Sequence, residues 1–217
     1  MKRSVSLLLL IALLLASLLF VSCGGDDEFP EYAYADGKIN SEDGKSYTPA
    51  PMGFQPQNVG GKCAVRDKAF DLYQVLRLDG TAVSTEDWMT EEYAGNVTSV
   101  YYGEGVTLPD FDKINFSRCY VCEEDEIVNF VTDFDDRELI DTIIGKVANG
   151  TESTGRLDES VSSYTLKFSS DEYPGIFFSI DYLIYDDAAY LYSICNKRYA
   201  EATGLLDGYI EQPAESD

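Results

Sequence analysis

Two hydrophobic rhythms run along this chain of 217 residues. Over most of its second half apolar and polar residues alternate, and at a few places the repeat lengthens to a helical one. Alternation sends successive side chains to opposite faces of a strand, whereas a 3.6-residue repeat gathers them on one stripe of a helix. AFDLYQVLRLDGTAV, residues 69–83, alternates and breaks at Asp79-Gly80, which predicts a strand pair or one strand with a turn. NVTSVYY, KINFSRCYVCEE and EIVNFVTDF continue as strands rich in β-branched and aromatic residues. SSYTLKFSS, GIFFSIDYLIYDD and AAYLYSI predict an antiparallel meander that turns near Tyr173-Pro174-Gly175 and again near Asp186-Asp187.

Three segments predict helices. The clearest is DDRELIDTIIGKVANG, 135–150. Asp135 with Glu138 makes a capping-box-like start, and Leu139, Ile140, Ile143, Ile144 and Val147 share one face before Gly150 ends the run. STEDWMTEEYAG predicts a short helix capped by Ser84 or Thr85 and stopped by Gly95. NKRYAEATGLLDGYIEQ predicts a closing helix with Tyr199, Thr203, Leu206 and Ile210 inward, despite Gly204 and Gly208. An antiparallel sheet with about three helices packed on it is an α+β fold.

The first 61 residues lack both rhythms. Met1-Lys2-Arg3 is a basic start, and Val5 to Val21 is apolar apart from Ser6 and Ser17. A charged start, an apolar core and a small residue before a processing point describe a secretory signal peptide. An uncleaved membrane helix needs roughly 20 apolar residues, more than this run offers. No basic residue follows the run, which leads into Gly24-Gly25-Asp26-Asp27-Glu28. Phe20-Val21-Ser22-Cys23 resembles a bacterial lipobox, with phenylalanine where leucine is usual. The resemblance covers residues 1–23 and implies cleavage before Cys23 and a lipid on its thiol. The chain would then be anchored on the extracytoplasmic face of a bacterial cell membrane, its partner through the N-terminal lipid. In layout only, the remainder resembles small uncharacterised lipoproteins of Gram-positive bacteria, and that likeness implies no activity.

The organisation read from the sequence is therefore a signal peptide over 1–22, a flexible acidic tether over 23–61, one α+β domain over 62–211 and a disordered tail over 212–217. The tether reading rests on a segment rich in Gly, Pro, Asp, Glu and Tyr.

Charge narrows the partners. The chain carries 16 basic against 39 acidic residues, a formal charge of −23. Nucleic acid demands a basic surface and is excluded. A cationic ligand or an envelope protein fits better. No histidine occurs. That removes the commonest general base, the usual zinc ligand and the Ser-His and Cys-His dyads. Four cysteines remain beside Cys23: Cys63, Cys119, Cys122 and Cys195. RCYVC reads as a strand, where residues three apart face opposite ways, so the sequence leaves their pairing open.

Two kinds of residue carry candidate chemistry. Carboxylates cluster at CEEDE, at DFDDRE with Asp133 and Asp135, at Asp110 and Asp112, and at the turn Asp186-Asp187. Oxygen ligands of this kind hold calcium, yet no EF-hand spacing is present, so calcium is a weak candidate and no other cofactor is expected. Paired carboxylates also serve glycoside hydrolysis, which makes a polysaccharide hydrolase or a calcium-dependent module the alternative reading. Tyrosines, 16 of them, offer apolar area with a polar tip. Tyr101, Tyr102, Trp88, Tyr182 and Tyr190 are the candidate binding residues. The tyrosines of DYLIYDDAAYLY fall on both faces of a sheet, so one stripe cannot hold them all. The leading expectation is a lipid-anchored binding or interaction module without catalysis.

Overall fold

Alternating segments divided by turn residues pair into two β-sheets. A computed structural model describes residues 29–68, 70–75, 82–85, 100–103, 106–124, 128–153, 160 and 162–210. The first sheet closes on itself as a small barrel, in the order β1 (Glu31–Ala35), β2 (Lys38–Ser41), β3 (Ser46–Pro49), β8 (Val100–Gly103), β7 (Ala82–Thr85), β6 (Phe70–Val75), β5 (Val59–Arg66). A parallel pair between β1 and β5 completes the ring. The second sheet runs β10 (Val128–Phe134), β9 (Arg118–Glu124), β12 (Ser162–Ser169), β13 (Ile176–Ile184), β14 (Ala189–Ser193), β15 (Arg198–Glu201), β11 (Thr151–Glu152). Strand β4 (Phe54–Pro56) leaves the barrel's connections to pair with β13.

The expected α+β class is overturned, because the fold is mostly β, with one long helix among the described residues, α1 (Arg137–Ala148). Of the helix expected at 84–95, Ser84 and Thr85 belong to β7 and the rest lies outside the described residues. The closing helix is absent. Lys197 takes a positive φ of 55° and reverses the chain, so Arg198–Glu201 pairs with β14 instead. Gly204, at φ 74°, then keeps 202–210 in successive turns that still bury Leu206 and Ile210.

The tether is corrected too. Residues 31–61 form β1 to β4 and the start of β5. Asp36 and Gly37 both have positive φ, 53° and 76°, and join Ala35 to Lys38 as a two-residue hairpin turn. Such turns match the twist of the strands they connect. Residues 23–28, Cys23 among them, lie outside the described residues.

Each layer has its own core. Tyr32, Ile39, Tyr47, Ala64, Leu72 and Tyr101 fill the barrel, with Tyr32 and Tyr47 stacked at 5.7 Å. The larger core lies under the second sheet, where Leu166, Phe168, Phe178, Ile180, Tyr182 and Leu191 meet Ile140, Ile143, Ile144 and Val147 of α1. Burying an aliphatic side chain of this kind contributes about 1.5–3 kcal/mol. Val75 and Val100 carry the barrel into that same core. Asp136, one residue beyond the expected cap, accepts from the Leu139 N–H at 3.1 Å. At the other end Asn196 and Arg198 donate to the carbonyls of Val147 and Ala148 at 3.0 and 2.7 Å. Those bonds satisfy carbonyls the helix leaves unpaired and place a cation at its negative end.

Candidate binding face

Because α1 packs on one face of the second sheet, alternation leaves the other face to a different set of side chains. In β9, Cys119 and Val121 point to the core, so Tyr120 and Cys122 point away. In β13, Phe178, Ile180 and Tyr182 point in, leaving Phe177, Ser179, Asp181 and Leu183 outside. In β14, Leu191 points in while Tyr190 and Tyr192 point out. Strand pairing then aligns the outward residues in rows. One row crosses the sheet as Phe130, Cys122, Thr165, Asp181, Tyr192, Tyr199. Beside it run Ser163, Leu183, Tyr190, Glu201 on one side and Asp133, Tyr120, Lys167, Ser179 on the other.

The rings of this face meet edge to face. Tyr185 and Tyr190 lie 5.8 Å apart, Tyr190 and Tyr199 6.1 Å, and Tyr120 and Phe177 5.5 Å. These contacts hold the rings in place and leave them half-buried. Among the described residues, the helix and the main core sit on the opposite side. The result is a pre-ordered surface in which tyrosines alternate with the charged residues Asp133, Lys167, Asp181 and Glu201. Rigid aromatic area with hydroxyl tips suits adhesion to a partner at small entropic cost.

The candidate residues named from sequence scatter. Tyr190 alone sits on the open face. Tyr182 is fully buried, its hydroxyl donating to the Ala202 carbonyl at 3.3 Å. Burial, with a lesser push from Asp207, drives its pKa up to about 12. Tyr101 lies inside the barrel, where its hydroxyl accepts from Arg66 Nη1 at 2.6 Å. Tyr102 is half-buried against the main core, and Trp88 lies outside the described residues. Tyr120, Phe177, Tyr192 and Tyr199 belong to the face and were missed. The signal that would have found them is the strand register, which sequence alone does not supply.

Among the described residues the carboxylates do not converge. Asp133 and Asp135 both meet Arg118, at 3.0 and 3.9 Å, and Asp186 and Asp187 are exposed at the β13–β14 turn. Among the described residues no group of three or more carboxylates and thiols is arranged to hold a metal ion. A shallow depression of about 270 Å³ by the barrel is lined by Glu31, Tyr32, Glu42, Asp43 and Lys45. There Asp43 accepts from Ser41 and pairs with Lys45 at 2.9 Å, and these bonds lower its pKa. Its charge is satisfied within its own turn.

Cys63, Cys119, Cys122 and Cys195 are not joined in disulfides. Burial pushes the Cys119 thiol well up, with smaller pushes from Cys122 and Asp133, and burial also raises Cys63 and Cys195. A thiol held protonated is a poor nucleophile. Comparisons with protein-family models, with curated proteins and with solved structures return no match.

Proposed function

We propose that the chain is a lipid-anchored, extracytoplasmic binding module of the bacterial cell envelope, and that it binds through the open tyrosine face of its second sheet. The lipobox-like Phe20 to Cys23 supports the anchor. The observation that carries the binding role is the set of outward rings, Tyr120, Phe177, Tyr190, Tyr192 and Tyr199, over a core that packs without them. These rings are half-buried and ordered in advance, and aromatic residues are enriched at interaction sites.

The test is quantitative capture from solubilised native envelope with the full chain as bait, comparing the parent with Tyr190→Ser/Tyr199→Ser. A partner, protein or polysaccharide, recovered by the parent and depleted about tenfold or more by the double variant supports the face. Equal recovery by both removes the face from the reading. The anchor is tested separately: Cys23→Ala abolishes lipid labelling and membrane retention, and unchanged labelling refutes it.

A further inference from the structure

The outermost strand of the second sheet says more about the partner. We propose that β10 receives an extended, basic segment of a partner protein as an added strand. This rests on the binding-module reading above and gives it a docking mode and a partner charge.

Strand β10 pairs with β9 along one side, and among the described residues no strand lies along its other side. Among the described residues, its backbone groups from Val128 to Phe134 enter none of the backbone hydrogen bonds found outside the strand ladders. Unpaired edges template strand addition, and proteins blunt them with lysine or proline. VNFVTDF contains neither. The register shifts between Phe130 and Thr132, a bulge that presents two neighbouring apolar side chains where strict alternation would hide one. Phe130 is 63% exposed and Val131 40%. Phe130 also stands at the end of the long row of the tyrosine face, with the buried Cys122 and Thr165 between it and Asp181.

Charge selects the occupant. Exposed Glu123 lies opposite Asn129, Asp133 is on the strand, and Asp135, Asp136 and Glu138 follow it. Arg118 is shared between Asp133 and Asp135, so acid is in local excess. A second copy of this chain would bring the same acidic rim against itself, on a protein of formal charge −23. A strand that mixes Lys or Arg with apolar residues meets Glu123 from one face, and Asp133 and Phe130 together from the other.

The experiment titrates the full chain in detergent with a short fluorescent peptide of alternating lysine and valine, and with its glutamate counterpart. The lysine peptide is expected to bind, more weakly as salt rises, and to slow amide exchange across β10. The glutamate peptide is not. Phe130→Ser/Val131→Ser, both at exposed positions and so compatible with folding, is expected to weaken the lysine peptide about tenfold or more. Tyr190→Ser should leave β10 protection in place. No binding of the lysine peptide, or binding without protection of β10, overturns the edge proposal; neither result touches the capture test of the face. Loss of binding by Tyr190→Ser and not by the edge variant also overturns it, and moves the peptide to the face. A dimer in the absence of peptide that Phe130→Ser/Val131→Ser dissolves overturns it in favour of a second copy.

Discussion

Truncating Phe178 to alanine should remove a large part of the stability of this fold. The ring is fully buried and meets three others: Phe111 at 4.6 Å and nearly parallel, Phe54 at 5.2 Å, and Phe116 at 5.8 Å. Those partners come from the 3-10 turn Phe111–Lys113, from β4 and from the approach to β9, so a single side chain ties three segments to β13. Burying a phenylalanine and then deleting it costs about 3–5 kcal/mol, transfer and cavity together. Loss of three aromatic contacts, each worth about 0.5–1.5 kcal/mol, places this site toward the upper end. Domains are stable by only about 5–15 kcal/mol. With a urea slope of about 2 kcal/mol/M, the midpoint should fall by about 2 M. Urea titration followed by far-ultraviolet circular dichroism reads that shift. Amide exchange in β4 should accelerate first, because Phe54 pairs directly with Phe178. Phe130→Ala, at an exposed ring, is the control and should move stability by no more than about 0.5 kcal/mol. A Phe178 variant that behaves like the Phe130 control would refute the packing described here.

Three further outcomes can be checked by the same titration. Gly150→Ala should cost about 1–3 kcal/mol, since its Cβ would stand 2.4 Å from the Tyr199 carbonyl oxygen and backbone must shift to admit it. Asp136→Ala removes the cap on Leu139 and should cost about 0.5–2 kcal/mol, with faster exchange in the first turn of α1 and not in the barrel. Alkali should destabilise the protein. Tyr182 titrates at about 12 when folded against 10.0 ordinarily, so the folded form holds its proton more tightly; its stabilising contribution is complete below the ordinary value and is lost as pH rises through the folded one. Tyr182→Phe should therefore flatten the fall in urea midpoint between those two values, and an unchanged slope would refute the assignment. The raised thiols of Cys63, Cys119 and Cys195 act with the same sign from their ordinary value of 9.0 upward.

Where the chain repeats its pattern long enough, the sequence discloses its structure. Helix α1 has a capping residue, four inward aliphatics at helical spacing and a terminal glycine, and it forms within a residue or two of expectation. Strands β9, β10, β12, β13 and β14 were legible for the same reason, each with alternation of five residues or more. Residues 31–56 were not. Their strands span three to five residues, too few to show a period, and tyrosine and proline stand where aliphatics would have announced a core. The sequence did carry a sign there: Asp36-Gly37 is a strong hairpin signal, and Gly44 marks the next reversal at φ 84°. The C-terminal segment misled in the opposite way. Leu206 and Ile210 share a helical spacing, yet turns set by Gly204 bury both without a helix.

The candidate face was harder to read than the fold, and the reason is geometric. Alternation along one strand says that Tyr182 and Tyr190 can lie on different faces, but it does not say which face is the core. Only the neighbouring strands decide that. Tyr182 pairs with Leu191 on one side and Tyr164 on the other, and all three point toward α1. One residue further along β13, Asp181 pairs with Tyr192, and Tyr192 in turn with Tyr199, on the side that α1 leaves open. A slip of one residue in any of these ladders would exchange the sets. The register is held because Phe168, Phe178 and Leu191 are the large apolar groups and have one buried place to go. The aliphatic and phenylalanine positions thus fix which tyrosines remain outside, and the candidate surface follows from core packing rather than from a motif of its own.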